Sequence, residues 1–391
     1  MNPLARKLFC VTIAMALVIA GCAEDQPPPS KVGLPPGGLV DAPVDFRGYP
    51  VLQTLVQTSV RVRYRSTSGV DGSPSTVSGV VLVPKGEPPP GGWPVAAIGH
   101  PTAGVGTSCA PSAYPGLMGG LPAVIPFLTY GYVVAMSDYQ GLGTPGPHPY
   151  LDPKTAGYNV IDSVRAAREV VPDTSGTWVS YGVSQGGQAV WAANEMAAEY
   201  GGDLRLLGSI SVAPATDLRP LVDAMVAGTL TTAQKVVLPL VLEGVRALHP
   251  QANLDDYLRG VMRSRLDVFL TCAGDGEALK AKVAESAPAS DTMPVDTVAA
   301  ERLRNWLGDM ALPRQPASAP MLVAYGDADE TVLPAWTEAS ITAACGMGDV
   351  VDAQVARGQG HGMLDLGGLP AAWVTDRLAG RPAPNTCPPP A

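Results

Sequence analysis

The sequence predicts an α/β fold in which helices flank a mostly parallel central sheet and one helical segment is inserted. Short apolar runs recur along the chain, helical patterns separate most of them, and residues 217–315 show helix-like periodicity. Strands that alternate with helices form parallel sheets that are covered on both faces. The chain has 391 residues, 46% of them apolar, which suffices for one large domain with an insertion or for two modest domains.

The opening of the domain is predicted to be antiparallel. Residues 60–67 and 75–83 alternate apolar and polar side chains, and the turn sequence SGVDGSP joins them. The other predicted strands are short apolar runs over 95–100, 131–139, 177–183, 206–213, 320–326 and 351–358. Predicted helices cover 155–170, 186–199, 335–344 and 370–378. We therefore expect a core formed by residues 41–216 and 316–391, with 217–315 as a helical cap.

The N-terminus has the pattern of an export signal. Two basic residues precede an apolar run over 8–20, which is shorter than the roughly 20 residues that a membrane span needs. The sequence VIAGC resembles a bacterial lipobox and predicts removal of residues 1–21 and lipidation of Cys22; ordinary signal cleavage nearby is the alternative. Residues 22–40, rich in Pro and Gly, then form a flexible tether. The protein is predicted to be exported to the bacterial cell envelope, either lipid-anchored or soluble.

The charge of the mature chain argues against nucleic acid as a partner. Removing residues 1–21 takes away Arg6 and Lys7 and no acidic residue, so the 26 basic side chains fall to 24 against 35 acidic ones, a net charge of −11. Phosphate binding needs a basic face, and the sequence indicates none. The expected membrane contact is the N-terminal lipid alone, and the sequence does not predict an oligomeric state.

Four cysteines are left once Cys10 in the signal and Cys22 at the lipobox are set aside. They are Cys109, Cys272, Cys345 and Cys387. In an oxidising compartment four cysteines predict two disulfides, for which three pairings are possible. Their spacing matches no zinc-ligand pattern, so we expect no metal site.

The sequence GVSQGG contains a Gly-x-Ser-x-Gly motif centred on Ser184. The motif alone is weak evidence, because three fixed positions arise by chance in a chain with 44 glycines. Here an apolar strand runs into Ser184 and a helical pattern follows it, which is the strand–turn–helix arrangement of a nucleophile elbow. Gly182 and Gly186 would let the strand and the helix approach closely around a strained serine. Ser184 is therefore the candidate nucleophile.

A serine nucleophile requires a base, and in α/β-hydrolases the chain order is serine, acid, histidine. Of the four histidines, His100 and His148 lie too early in the chain, and His249 lies inside the predicted cap. This leaves His361, which lies in GQGHGM after the last predicted strand, as the candidate base.

The acid is expected directly after the predicted strand over 320–326. Asp329 in GDADETVLP fits a G-x-x-D-x-x-V spacing that is frequent after the penultimate strand of this fold. Asp327 and Glu330 would then be turn formers or solvated charges. Asp327 itself and Asp217 are the alternative acids.

The oxyanion of a tetrahedral intermediate needs two hydrogen-bond donors. In a nucleophile elbow, one donor is the backbone N–H of the residue after the nucleophile, which here is Gln185. The second is expected from the loop IGHPTAGVG. We favour Thr102 in this loop, because the preceding Pro101 has no N–H.

Five segments of the chain carry a resemblance to a known family. They read GHPTAGVGTSCAPS, SDYQGLGTPGPHPYL, GVSQGGQAVWAANEMAAEY, VAPATDL and GDADETVLP. They resemble the secretory lipase family of fungi and bacteria, serine α/β-hydrolases with a helical lid, over residues 45–385. The resemblance implies esterase or lipase action on carboxylic esters, with Ser184, Asp329 and His361 as the triad and no cofactor.

The resemblance also implies the disulfides Cys109–Cys272 and Cys345–Cys387. In one respect the chain departs from the family pattern. It reads His-Pro-Thr in the oxyanion loop where many bacterial relatives have His-Gly-Thr.

The expected partner is a small-molecule or lipid ester. The acidic charge and the apolar cap helices favour small to medium-chain acyl esters, while aryl esters, acetylated polymers and polyesters stay open as substrates. Two alternatives to an esterase or lipase are a non-catalytic surface lipoprotein with this fold and a serine peptidase of the same fold. An aminopeptidase would need an anchor for the substrate ammonium, for which the cap offers acids such as Glu243 and Asp256.

Overall fold

The computed structural model describes residues 33–389, and the described residues from Leu34 onward form one compact unit. The predicted signal peptide over residues 1–21 and the lipidation candidate Cys22 lie outside the described residues, as does the predicted tether up to residue 32. Among the described residues, every helix is too short or too polar to span a membrane.

Within the described residues, nine strands form one sheet in the order β1-β2-β3-β5-β4-β6-β7-β8-β9. The strands are β1 (Val44–Asp45), β2 (Val56–Thr67), β3 (Pro74–Pro84), β4 (Trp93–Gly99), β5 (Val133–Ser137), β6 (Thr174–Val183), β7 (Arg205–Val212), β8 (Met321–Gly326) and β9 (Val351–Ala356). The first three strands are antiparallel, and β3 also pairs antiparallel with β5. From β5 to β9 all neighbours are parallel. The predicted antiparallel opening and the mostly parallel sheet are confirmed.

Helices cover both faces of this sheet. In chain order, the α-helices of the described residues, of which α5 to α10 belong to the segment between β7 and β8, are α1 (Pro50–Leu55), α2 (Leu121–Thr129), α3 (Pro153–Val170), α4 (Gln185–Tyr200), α5 (Arg219–Ala227), α6 (Thr232–Leu248), α7 (Gly260–Ser264), α8 (Leu266–Phe269), α9 (Glu277–Ser286), α10 (Thr297–Asp309), α11 (Pro334–Gly346) and α12 (Leu369–Leu378). On one face, α3 and α4 bury Val160 and Val190 against the strands. On the other face, α2 and α12 bury Phe127 and Trp373. Both faces are covered, which explains why the central strands read as continuous apolar runs.

Local sequence sets where the helices next to the site begin. Asp152 precedes α3, and its carboxylate accepts a hydrogen bond of 3.0 Å from the Thr155 N–H. Pro153 fills the first helical position, where a missing N–H costs nothing. In contrast, α4 begins directly after Ser184 without a side-chain cap. The N–H groups of its first turn are therefore left for another acceptor.

The segment between β7 and β8 is helical, as its periodicity predicts, and contains α5 to α10. Its apolar side chains, including Leu238, Phe269 and Leu303, form one buried cluster. The cluster also contains Tyr150 and Val332, which belong to loops at the carboxyl ends of β5 and β8. The inserted helices thus pack on the edge of the sheet where parallel strands end.

The predicted tether is too long at its C-terminal end. The Gly37 N–H donates to the Arg65 carbonyl at 2.7 Å, and the Val40 N–H donates to the Arg63 carbonyl at 2.9 Å. Residues 37–40 are therefore held along β2. Backbone hydrogen bonding, which Pro and Gly content does not reveal, extends the fold to these residues.

Two disulfides are present, and their pairing is the one that the family resemblance implies. Cys109–Cys272 connects the loop after β4 to the inserted helices across 163 residues. Cys345–Cys387 connects the end of α11 to the C-terminal tail across 42 residues. The first bond fixes the inserted segment to the sheet domain, and the second fixes the tail.

Candidate active site

Ser184 occupies a sharp turn between β6 and α4. Its backbone has φ of 56° and ψ of −116°, a conformation that costs a non-glycine residue about 1–3 kcal/mol. Its N–H donates to the Val212 carbonyl at 2.8 Å, which holds the turn against β7. The strained backbone is the conformation that a nucleophile elbow requires.

Small residues allow the backbones around this turn to approach. A Cβ atom on Gly182 would lie 2.1 Å from the Gly186 carbonyl oxygen, and one on Gly186 would lie 2.0 Å from the Gly99 carbonyl oxygen. No side chain fits at either position, because a Cβ atom essentially never lies closer than 3.0 Å to another heavy atom. The two glycines of the motif are therefore required by packing.

Ser184, Asp329 and His361 meet at the carboxyl end of the sheet. The Nδ1 atom of His361 lies 2.7 Å from Oδ2 of Asp329. Its Nε2 atom lies 2.8 Å from the Ser184 hydroxyl oxygen. Since an ionised carboxylate can only accept, Nδ1 carries the proton and Nε2 is free to accept from the serine. This is the arrangement of a serine nucleophile with its base and an orienting acid.

Asp329 is held firmly in this position. Its second carboxylate oxygen, Oδ1, accepts from the Thr331 N–H at 2.8 Å and from the Val332 N–H at 3.0 Å. Only 1% of its side chain is exposed. The carboxylate is thus oriented by its own loop, and Oδ2 is left to face His361.

The alternative acids lie elsewhere. Asp327 accepts from the Gly358 N–H and pairs with Arg357 at 3.2 Å, so it braces the loop before His361. Asp217 pairs with Arg219. Among the three candidates, only Asp329 contacts the imidazole.

The acid loop and the histidine loop approach each other closely. A Cβ atom on Gly326 would lie 2.1 Å from the Gln359 carbonyl oxygen. The same carbonyl accepts from the Ala328 N–H at 3.0 Å. The glycine at the end of β8 therefore permits the contact that brings the two loops together.

An inserted helix also contacts the acid loop, a contact that no sequence pattern predicts. Thr231 and Gln234 form a capping box at the start of α6. The Thr231 hydroxyl also donates to the Glu330 carbonyl at 2.8 Å, and the Gln234 amide nitrogen lies 3.4 Å from the Thr331 carbonyl. The Thr-x-x-Gln spacing predicts the start of a helix, but no sequence signal predicts that this helix start contacts the acid loop.

The two oxyanion candidates follow neighbouring strands. Gln185 is the first residue of α4, after β6. Thr102 follows β4, which lies next to β6 with Gly99 opposite Gly182. In the described part of the chain, the backbone N–H groups of Thr102 and Gln185 donate to no protein acceptor. Both amides therefore lack a protein acceptor, as the donors of an oxyanion hole must.

His100 and His249 are engaged in structural contacts. The His100 ring lies 2.7 Å from the Pro101 carbonyl and 3.2 Å from the Asp138 carbonyl, and burial lowers its pKa. His249 stacks on Trp306 with ring centroids 5.1 Å apart. Neither residue takes part in the contacts around Ser184.

The two acidic residues of the cap that could anchor the ammonium group of an aminopeptidase substrate are both paired with arginines. Glu243 lies 2.5 Å from Arg246. Asp256 lies 2.6 Å from Arg302. These ion pairs weaken the argument for an aminopeptidase, because both carboxylates already have a cationic partner.

Comparison with known proteins places this geometry in a family. The model of the family described as secretory lipase matches residues 120–386. No curated protein sequence matches the chain. Similar solved structures include lipase A of Candida antarctica in its closed state, with 15% identity, a TM-score of 0.70, and coverage of 94% of this chain and 89% of that one. The rice cell wall degrading esterase LipA of Xanthomonas oryzae has 19% identity, a TM-score of 0.65, and coverage of 83% and 92%.

At these identities the solved structures establish the fold, which is that of the α/β-hydrolases. The family match spans more than half of the chain. Together with the two disulfides, it indicates an exported protein that acts on ester substrates. The chain therefore belongs to the secretory lipase family.

Proposed function

We propose that this protein is a carboxylic ester hydrolase, a carboxylesterase or lipase, that works through an acyl-enzyme intermediate on Ser184. The observation that carries the proposal is the continuous hydrogen-bond chain from the Ser184 hydroxyl through His361 to Asp329. A serine hydroxyl is a weak nucleophile until a positioned base removes its proton. The chain of contacts supplies the base and the acid that orients it.

In the first half of the reaction, Ser184 Oγ attacks the ester carbonyl carbon while its proton passes to His361 Nε2. Asp329 stabilises the imidazolium, and the backbone N–H groups of Thr102 and Gln185 stabilise the oxyanion. The tetrahedral intermediate collapses, the imidazolium gives its proton to the leaving alkoxide, and the alcohol departs. In the second half, water gives a proton to His361 and attacks the acyl carbon. The bond from this carbon to Ser184 Oγ then breaks, the imidazolium returns its proton to Oγ, and the carboxylic acid is released.

The substrate is proposed to be a neutral ester with a small to medium-length acyl chain. Partly buried apolar side chains of the oxyanion and acid loops, Val105 and Leu333, pack against the apolar cluster of the inserted helices. Apolar side chains in these two loops favour an uncharged acyl group. The acidic net charge of the chain disfavours anionic substrates.

The enzyme is proposed to act at the bacterial cell envelope, attached through a lipid on Cys22. Export agrees with the two disulfides. The wild-type chain should partition into the detergent phase of a Triton X-114 extraction, and Cys22→Ala should move it to the aqueous phase. Wild-type protein in the aqueous phase would contradict the anchor and leave the proposed chemistry intact.

A fluorophosphonate probe tests the proposed activity. The purified protein should be labelled at Ser184, and Ser184→Ala should abolish the label while it retains the circular dichroism spectrum of the wild type. A folded wild-type protein that is never labelled would instead indicate a binding protein with this fold. A series of p-nitrophenyl esters from acetate to palmitate then separates an esterase, with a maximum at short chains, from a lipase.

A further inference from the structure

The loop over residues 138–151, after β5, packs against both candidate oxyanion residues. It contains His148, which is only 5% exposed and is not part of the proposed triad. Its Nδ1 atom lies 2.7 Å from the Gln140 carbonyl oxygen, within the same loop. Its Nε2 atom lies 3.0 Å from the side-chain nitrogen of Gln185. His148 thus connects this loop to the residue directly after the candidate nucleophile.

The hydrogen-bond roles in this contact follow from its geometry. The Gln140 carbonyl can only accept, so Nδ1 of His148 must carry the proton. In a neutral ring the other nitrogen, Nε2, then has a free lone pair and accepts from the Gln185 amide. Burial lowers the pKa of His148 to about 4, which keeps the ring neutral at ordinary assay pH. Gln185 is therefore the donor and His148 the acceptor.

The Gln185 side chain has no other hydrogen bond within the described residues. The residue is 2% exposed, and its amide oxygen is buried without a protein partner. An oxyanion donor at this position uses the backbone N–H, which nearly any residue supplies. A buried polar side chain is costly unless it is hydrogen-bonded, so the bond to His148 accounts for the glutamine.

The same loop reaches the other oxyanion candidate. Tyr150 places its hydroxyl 2.7 Å from the Thr102 hydroxyl. The rings of His100, Tyr139, His148 and Tyr150 form a continuous series, with successive centroids 4.3, 6.2 and 6.0 Å apart. Tyr139 has φ of 67°, so the loop maintains a strained backbone within this series. One packed unit therefore touches the side chains of both oxyanion candidates.

We propose that His148 is a positioning residue of the oxyanion hole, which fixes the first residue of α4 through the Gln185 side chain. This inference rests on the proposed function of Ser184. An oxyanion donor acts at a defined distance from a charge that exists only in the transition state. If the His148–Gln185 bond is lost, the Gln185 N–H shifts relative to that charge, while the binding of the neutral ester changes little.

Three substitutions separate the acceptor at Nε2 from the rest of the His148 side chain. In His148→Asn, the amide nitrogen replaces Nδ1 and keeps the bond to Gln140, but nothing accepts from Gln185. In His148→Gln, the amide oxygen extends to the region of Nε2 and restores an acceptor. Gln185→Met removes the donor, keeps the backbone N–H, and has a similar volume. A fourth variant combines His148→Asn with Gln185→Met.

The measurements are kcat and KM for p-nitrophenyl butyrate and the Ki of a trifluoromethyl ketone, which forms a tetrahedral adduct with a serine hydrolase. His148→Asn and Gln185→Met should each lower kcat about 10- to 100-fold and raise the Ki by a similar factor, with KM within about twofold. His148→Gln should recover most of the loss. The double variant should be no worse than the poorer single variant, since both changes break one bond.

The inference is overturned if folded Gln185→Met keeps the kcat and Ki of the wild type. It is overturned as well if the kcat of the double variant falls by the product of the two factors measured for His148→Asn and Gln185→Met. It is also overturned if the variants lose only thermal stability. Should His148→Asn fail to fold, Gln185→Met alone decides the question. A wild-type protein that is not labelled at Ser184 would refute the proposed function, whereas a labelled wild type with unaffected variants refutes only the role of His148.

Discussion

The Nδ1 atom of His361 lies 2.7 Å from Oδ2 of Asp329, and this contact joins the loops that follow the last two strands of the sheet. The Asp329 side chain is almost completely buried, and both of its oxygens are hydrogen-bonded. The loops are drawn together around it by the close approach of Gly326 and Gln359. The Asp329 carboxylate is thus buried and held in a fixed orientation toward His361.

Asp329→Asn should lower kcat by about 10⁴-fold, because an amide nitrogen facing Nδ1 stabilises the wrong tautomer and leaves the imidazolium without a counter-charge. Asp327→Asn is the matched control, since its carboxylate braces Gly358 and does not contact the imidazole. Its kcat should stay within about threefold of the wild type. Steady-state kinetics on p-nitrophenyl butyrate decides between the two acids, and a larger loss for Asp327→Asn would show that the wrong acid is assigned.

Tyr150→Phe should lower kcat/KM by about five- to tenfold, because it removes one hydroxyl–hydroxyl bond to Thr102 worth about 1 kcal/mol. Tyr132→Phe is the control, since the Tyr132 hydroxyl is buried without a protein partner among the described residues. It should leave activity unchanged and the free energy of unfolding equal or higher. Equal activity losses in both variants would contradict a specific role for the bond to Thr102, because the Tyr132 hydroxyl makes no such bond.

The fold was largely predictable because its elements are long or fully buried. Apolar runs of six or more residues mark β4 and β8, and both match the structure within a few residues. The two-residue strand β1 is too short to produce a pattern. The order in which β4 lies between β5 and β6 is a tertiary property that no local pattern reports.

Removal of the disulfide Cys109–Cys272 should affect both stability and activity. The bond closes a loop of 163 residues, and the Ala273 N–H donates to the Ala103 carbonyl at 2.9 Å, next to Thr102. Replacing both cysteines by serine should lower the free energy of unfolding by about 2–5 kcal/mol and also lower kcat. Urea denaturation and steady-state kinetics measure the two effects.

The second disulfide provides the control for the first. Cys345–Cys387 closes only 42 residues and lies in the tail, away from the oxyanion loop. In the chain-entropy account its removal costs about 1 kcal/mol less than removal of the first bond, and kcat should be unchanged. An equal loss of kcat in both double-serine variants would contradict a specific role for the first disulfide.

Glu195 should make the protein less stable as the pH rises from 5 to 8. Burial raises the pKa of Glu195 to about 7, from an ordinary value of 4.5. The folded chain therefore retains a proton that the unfolded chain has released, and the free energy of unfolding falls as pH approaches the folded pKa. Glu195→Gln lacks this titration.

Relative to the wild type, the free energy of unfolding of Glu195→Gln should rise by about 2–3 kcal/mol between pH 5 and pH 8. Glutamine can still accept from the Arg314 N–H, which lies 3.2 Å from the carboxylate. Urea denaturation at the two pH values provides the measurement. A difference between the variants that does not change with pH would show that Glu195 titrates normally.

The sequence predicts the catalytic candidates of the site, but it does not predict the hydrogen bonds that hold the surrounding loops in place. The Gly-x-Ser-x-Gly motif and the chain order of the fold identify Ser184, Asp329 and His361, and the structure brings all three into contact. The bonds of His148 to Gln185 and of Thr231 to Glu330 join residues 37 and 99 positions apart. Such pairs have no periodicity, so a single sequence cannot reveal them.

The identity of the acylated residue tests the central claim most directly. The protein is mixed with p-nitrophenyl butyrate, quenched in acid within milliseconds, and analysed by mass spectrometry of its peptides. We predict one butyryl group per chain on Ser184, together with a burst of one equivalent of p-nitrophenol. An acyl group on another residue, or turnover that survives in Ser184→Ala, would contradict the account.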